Sequence, residues 1–264
     1  MKHFLQSILN NAGYEVRRRR DLKVDYFNAL ANFQEVACEA ADDLARRFLV
    51  HATRELLHSH AQRLQDLLAD FVMGGRSGVF CEFGATDGVT YSNTHFLQYR
   101  RGWTGLLAEP SRAWHADLAS NRPGAVIDHR CVYARSGEMI QFNQVEAGEL
   151  SGIASLHGKD RFAKERKQGR HYMVETVSLV DLLRQHGITS LDYLSVDTEG
   201  SELVILQGCN FDRFRPKLVT VEHNYTSARE KITHLMETNG YRLIFADYSA
   251  FDAWYVLPEC LAEI

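Results

Sequence analysis

The spacing of apolar residues changes along the chain near residue 75. Before that point Leu44, Phe48, Ala52 and Leu56, then Leu57, Ala61, Leu64, Leu68 and Phe71, recur at intervals of three and four, the period of an amphipathic helix. No glycine falls between Gly13 and Gly74 and no proline precedes Pro110. Helix is therefore predicted from about residue 25 to about residue 73, as one rod or as two to three shorter pieces. The run Gly74-Gly75-Arg76-Ser77-Gly78 ends it. Beyond it, short apolar runs alternate with helical stretches. Strands are predicted at Val79–Phe83, Thr104–Ala108, Ala125–Val132, Tyr193–Val196 and Leu218–Glu222, with a further antiparallel one at Met139–Asn143. Helices are predicted at Ser92–Tyr99, Ser111–Ala119, Ser178–His186 and Ser227–Asn239. This alternation specifies an α/β fold, a doubly wound, mostly parallel sheet covered on both faces. Tyr241–Asp247 and Phe251–Leu257 are both strand-like, with only Tyr248-Ser249-Ala250 between them. So short a link cannot make a parallel crossover, so the last strand must run antiparallel. The expected organisation is an N-terminal helical segment, 1–75, and an α/β domain, 76–264.

Composition narrows the class without choosing a function. Hydrophobic residues make up 45% and charged ones 24% of the 264 positions, enough for a sizeable core. A formal net charge of −4 gives no reason to expect a nucleic-acid partner. No apolar run is long enough to span a membrane. The opening Met1–Leu9 is too short for a leader and lacks a small-residue cleavage site, so a cytoplasmic chain is expected. The five cysteines, Cys38, Cys81, Cys131, Cys209 and Cys260, include no Cys-x-x-Cys pair and read as reduced, packed thiols. His51, His58 and His60 lie in the helical stretch and read as surface residues. Arg17–Arg20 reads as a solvated basic turn, or as a contact for an anionic surface or acidic partner.

The strongest chemical signal is Phe80-Cys81-Glu82-Phe83-Gly84-Ala85-Thr86-Asp87-Gly88. An apolar strand ends in an acid and enters a turn whose glycines permit positive φ and close approach of a ligand. Such a turn sits at the carboxyl edge of the sheet, where doubly wound folds bind ligands. The Gly-x-Gly-x-x-Gly spacing of a dinucleotide site is absent, and acids beside the turn suit a cofactor bearing an ammonium and a sulfonium. Glu109 closes the next strand, placed to accept both hydroxyls of a ribose. Asp197-Thr198-Glu199-Gly200 and Glu222-His223-Asn224 close two later strands. If those strands are neighbours, Asp197, Glu199, Glu222, His223 and Asn224 gather in one cleft, a ligand set suited to Mg²⁺ or Mn²⁺.

These residues carry a family resemblance. Glu82–Gly88 with Val89-Thr90-Tyr91-Ser92-Asn93-Thr94, then Gly102-Trp103 to Glu109-Pro110, resembles the FkbM family of S-adenosylmethionine-dependent methyltransferases. So do Leu191–Glu202, Thr220–Tyr225, Asp252–Val256 and the helix at Gln62–Leu67. The resemblance covers residues 58–257, leaving the first stretch of the chain outside it. It implies a seven-stranded class I methyltransferase sheet, to which the antiparallel last strand also points. It implies that Glu82, Gly84, Asp87 and Gly88 line the methionine part of S-adenosylmethionine, with Ser92 and Asn93 near its carboxylate. Glu109 would hold the ribose, Ser111 would lie beside the adenine, and Cys131 and Val132 would pack against that ring. Many members carry Asn or Asp where this chain has Thr86, also a candidate cofactor contact.

For the chemistry two mechanisms stand side by side. Either His223 removes the acceptor's proton as general base, with Asp197 and Glu199 beside it, or a divalent metal on Asp197, Glu222 and Asn224 lowers the acceptor's pKa. Some sugar and catechol methyltransferases place a metal at the same strand ends. The expected acceptor is a small molecule or glycan, methylated on a sugar hydroxyl. N-methylation of a peptide side-chain amide and a non-catalytic binding or scaffold role are the alternatives. The interval Gln144–Met173, rich in Gly, Lys, Arg and His, reads as a long loop. It would form a lid presenting Arg161, Lys164, Arg166 or Arg170 to an anionic group, or a solvated charge cluster. The apolar face from Tyr26 to Phe48 is not needed to complete the sheet and predicts a homodimer through the N-terminal helices.

Overall fold

The computed structural model describes residues 42–145, 151–156 and 169–262. Most of the predicted dimer face (Tyr26–Phe48), Arg17–Arg20, Cys38 and the basic residues Arg161, Lys164 and Arg166 lie outside the described residues. The chain divides into two units, Met1–Val50 and His51–Ile264. The helix leading into the first strand belongs to the second.

Helix α1 (Asp43–Glu55) is followed by a single 3₁₀ turn and then by α2 (Gln65–Val72). The predicted stripe through Leu57, Ala61 and Leu64 is thus broken: Leu57 is 78% exposed, and Leu64 takes a left-handed backbone in front of α2. Asp66 is the cause. Its carboxylate accepts from Ser59 Oγ (2.7 Å), the backbone N–H of His60 (3.0 Å) and that of Leu67 (2.8 Å), a side-chain alternative to helical hydrogen bonding. All eight residues of α2 are buried.

The main sheet consists of β1 (Val79–Phe83), β2 (Thr104–Ala108), β3 (Val126–Asp128), β8 (Tyr193–Val196), β9 (Leu218–Glu222), β10 (Arg242–Ile244) and β11 (Asp252–Val256). Its order is β10-β11-β9-β8-β1-β2-β3. All neighbours are parallel except β11, which runs antiparallel to both β9 and β10. This is the predicted doubly wound sheet with an antiparallel last strand. Helices α3 (His95–Arg101), α4 (His115–Asn121), α5 (Leu179–Gln185), α6 (Glu202–Gln207) and α7 (Ala228–Thr238) follow their strands, and α8 (Pro258–Ala262) ends the described chain. The strand order reverses at β1, between β2 and β8, so a crevice opens at the carboxyl ends of these strands.

A second sheet departs from expectation. It holds β4 (Cys131–Tyr133), β5 (Met139–Gln144), β6 (Gly152–Ile153) and β7 (Arg170–Ser178), in the order β4-β7-β5-β6. The predicted strand Ala125–Val132 is split because Asp128 accepts from both the backbone and the guanidinium of Arg130, turning the chain out of the main sheet. The predicted loop Gln144–Met173 loses its end to β7, which pairs antiparallel with β5 from Arg170↔Gln144 to Glu175↔Met139. Arg170 therefore begins a strand. No described helix is long and apolar enough to cross a membrane.

Candidate active site

A cavity of about 770 Å³, its open mouth included, lies over the carboxyl ends of β1, β2 and β8. Its walls are the turn after β1 (Gly84, Thr86), the loop before α3 (Thr90, Tyr91, Ser92), Glu109 and Pro110 after β2, and Asp197–Glu199 after β8. Cys131, Val132, Phe142, Gly152 and Ile153 close it from the second sheet. The structure thus brings Gly84, Thr86, Ser92, Glu109, Cys131, Val132, Asp197 and Glu199 to one space.

The glycine turn is shaped by what passes behind it. Gly84 has φ +76°, and a Cβ there would stand 2.0 Å from the Asp197 carbonyl oxygen, so glycine lets the ends of β1 and β8 meet. At Gly88 (φ +78°) a Cβ would stand 2.5 Å from Cγ of Arg122 and 2.7 Å from Leu118 Cδ1. Asp87, predicted to touch the cofactor, spends its carboxylate on the turn, accepting from the backbone of Val89 (2.8 Å) and Thr90 (2.7 Å) and from Thr90 Oγ1 (2.8 Å). Glu82 is likewise committed. It is buried and accepts from Ser92 Oγ (3.1 Å), the Asn93 N–H (2.7 Å) and Thr94 Oγ1. Glu82, Asp87, Gly88 and Asn93 lie behind the cavity wall rather than on it. Ser92 faces the cavity, but its one hydroxyl proton goes to Glu82. Asn93 gives its amide nitrogen to Ser195 Oγ (2.9 Å), and its buried Oδ1 has no hydrogen-bond partner among the described residues.

Glu109 is buried at the end of β2, where Oε2 accepts the Thr86 N–H (2.9 Å) and Oε1 the Ser111 N–H (2.7 Å). Each oxygen keeps a second lone pair. Burial raises its pKa to about 7, although the two backbone bonds pull the other way. Ser111 is fully buried and supports Glu109 through its backbone rather than lining the cavity.

At the ends of β8 and β9, Asp197, Glu199 and Glu222 bring one carboxylate oxygen each to within 4.8 Å of one another. The carboxyl groups of Asp197 and Glu222 are hydrogen-bonded. Burial, and then the neighbouring acids, raise the pKa of both, because like charges this close resist simultaneous ionisation. Glu202 shapes the turn carrying the first two, its Oε1 accepting from the backbone of Thr198 and Gly200. Asn224 stands next to the trio as a partner of Glu222, donating from Nδ2 to Oε2 (2.7 Å). His223 is turned away. It is buried, its Nε2 meets the Asp252 carbonyl (3.0 Å), and its Nδ1 accepts the Tyr225 N–H (3.0 Å). Both ring nitrogens are therefore engaged, in the Nε2–H tautomer, and burial lowers the pKa.

The residues present fit S-adenosylmethionine. The cavity wall carries a buried carboxylate, Glu109, with a second lone pair on each oxygen, beside the turn of Gly84 and Thr86 and the loop of Thr90, Tyr91 and Ser92. The trio also suits a hard divalent cation, to which it offers three oxygen donors. One organising residue gave no sequence signal. Arg122, distant from every motif, is 0% exposed beneath the glycine turn.

The profile of the family described as the methyltransferase FkbM domain matches residues 82–243. Among solved structures, an O-methyltransferase from Bacillus cereus in complex with SAH is similar at 13% identity and a TM-score of 0.43, over 86% of this chain and 97% of that one. A precorrin-6y C5,15-methyltransferase from Geobacter metallireducens is similar at 10% identity and a TM-score of 0.37, over 70% and 78%. A TehB-like SAM-dependent methyltransferase from Corynebacterium glutamicum is similar at 9% and 0.37, over 78% and 93%. No curated protein matches in sequence. With the family match spanning more than half its length, the chain belongs to the FkbM methyltransferase family and is an S-adenosylmethionine-dependent methyltransferase.

Proposed function

We propose that the protein methylates oxygen, on a sugar hydroxyl of a glycan or glycosylated natural product, with the acceptor held against the Asp197–Glu199–Glu222 trio. The observation that carries this reading is the trio itself, two of whose members line the cofactor cavity. S-adenosylmethionine, when bound, supplies a methyl group activated by its sulfonium. Glu109 takes the ribose hydroxyls on its two free lone pairs. Thr86 and Ser111 hold the carboxylate in place from behind. A sugar hydroxyl is a weak nucleophile until it loses its proton, and His223 has no free lone pair to take it. Asp197 and Glu199, on the cavity wall, are the groups in reach. A divalent cation, held by Asp197, Glu199 and Glu222 with Asn224 steadying Glu222, would supply Lewis acidity there. The ligand set expected from sequence has Asn224 where this one has Glu199.

Titration of Mn²⁺ into the protein, read by electron paramagnetic resonance of the free ion, tests the metal without an activity assay. One site is expected, lost in Asp197→Asn and Glu222→Gln. No Mn²⁺ binding would leave the carboxylates as bases on their own. Methyl transfer from labelled S-adenosylmethionine to a panel of methyl glycosides tests the acceptor class, and transfer only to amines or amides would overturn the sugar reading.

A further inference from the structure

Beneath the wall that separates Glu82 from the cavity lies a buried cation. Arg122, just past the end of α4, is 0% exposed, and its guanidinium runs under the loop from Gly88 to Thr94. Its Nη1 donates to the Gly88 carbonyl (3.1 Å) and to Ser92 Oγ (3.0 Å), its Nη2 to Thr94 Oγ1 (2.9 Å), and its Nε to Gln98 Oε1 (2.7 Å). Glu82 Oε2 is 3.8 Å from Nη1, too far for a direct hydrogen bond. The hydroxyls of Ser92 and Thr94 bridge the two charges, each donating its proton to Glu82 and accepting one from Arg122. The stem of the same arginine is what a side chain at position 88 would strike. A fully buried arginine is costly unless its donors are met, so the arrangement is satisfied as a unit or not at all.

What the unit holds is the loop between the glycine turn and α3. Thr90, Tyr91 and Ser92 of that loop line the cavity, and Asn93 carries the unpartnered Oδ1. Asn93 is fixed from two sides, by its N–H on Glu82 and its amide nitrogen on Ser195. We propose that Arg122 is a positioning residue for the amino-acid end of the cofactor: through Ser92 and Thr94 it locks Glu82 and the 88–94 loop, which holds the Thr90–Ser92 stretch of the cavity wall in place against that end. The inference rests on the S-adenosylmethionine reading. It predicts a division of labour, with the adenosine end held independently by Glu109, Cys131 and Val132.

That division supplies the test. S-adenosylhomocysteine carries both ends, whereas 5′-methylthioadenosine lacks the amino-acid end. Arg122→Lys keeps the charge but loses the fork. Thr94→Val removes one bridging hydroxyl at nearly constant volume and touches no cavity wall, so it remains informative if the arginine variant does not fold. By calorimetry on the full chain, each folded variant is expected to weaken S-adenosylhomocysteine about tenfold, the scale of one charged hydrogen bond, and to leave 5′-methylthioadenosine within about twofold. Equal losses for both ligands would mean that the cluster only supports the fold. Unchanged binding of both would mean that it positions nothing. Either result overturns the proposal. Failure of the unsubstituted protein to bind S-adenosylhomocysteine would instead strike the cofactor reading on which the proposal rests.

Discussion

Replacing Glu109 by glutamine changes one oxygen to an amino group in a pocket built for an acceptor. Both carboxylate oxygens already receive a backbone N–H, from Thr86 and Ser111. The new amino group must therefore face one of those donors, and one of the ribose hydroxyls loses a charged partner. A hydrogen bond to a charged group contributes about 1.5–3 kcal/mol, so S-adenosylhomocysteine should bind roughly 10- to 150-fold more weakly. The pH dependence is the sharper signature. Burial lifts the Glu109 pKa from 4.5 to about 7 in the folded protein. The unfolded chain gives up this proton first, so the raised value favours folding at low pH. As pH rises from 4.5 to about 7 that contribution fades, by about 3 kcal/mol in total. On the proposed ribose role, the hydroxyls donate to the ionised form, so below about pH 7 binding would expel a proton. Affinity should rise with pH, by up to about tenfold per unit, and level off above about 7. Calorimetry in buffers of different ionisation enthalpy would register the released proton directly. Glu109→Gln should bind weakly and with a flat profile. A flat profile in the unsubstituted protein, or full affinity in the variant, would remove Glu109 from the cofactor site.

Other consequences are as concrete. His223→Ala should lower stability by about 1–3 kcal/mol in denaturant unfolding, by stranding the Asp252 carbonyl and the Tyr225 N–H. It should leave the shape of the pH–rate profile unchanged, and loss of a titrating limb would restore histidine as the base. Gly84→Ala should abolish S-adenosylhomocysteine binding or folding, since its Cβ would lie 2.0 Å from the Asp197 oxygen at φ +76°. A soluble variant with native affinity would contradict the close approach of β1 and β8. Burial raises the Cys131 pKa to about 12 although the residue lines the cavity. Iodoacetamide should modify it slowly, and more slowly with S-adenosylhomocysteine bound, whereas fast labelling unaffected by ligand would place it elsewhere.

How much of this was legible in the sequence depended on whether the signal was local. The central strands β1, β2, β8 and β9 were readable to the residue because each is a short apolar run ended by an acid or a turn. The antiparallel β11 followed from the shortness of its link. Strand β7 was hidden because an apolar residue, Met173, stands among its exposed positions between His171 and Glu175, and a polar one, Thr176, among its buried ones. These two residues blur the period of two that a half-buried strand should show. The break before α2 was equally hidden, since a single carboxylate, Asp66, overrides an unbroken helical stripe.

The acids of the site show the same limit more sharply. Sequence marks Glu82, Asp87, Glu109, Asp197, Glu199 and Glu222 as six similar carboxylates at strand ends and turns, and their partners divide them. Asp87 closes a turn, Glu82 faces a cation forty residues later, and Glu109, Asp197 and Glu199 reach the cavity. No motif spacing records Arg122, because a buried ion pair bridged by two hydroxyls needs only that the residues meet in space. Glu82 and the glycines of the turn after β1 are therefore explained by the arginine and the strand end that pack against them. Loop construction thus accounts for Glu82, Gly84 and Gly88, and the acids left to face a ligand are Glu109, Asp197 and Glu199 on the cavity wall.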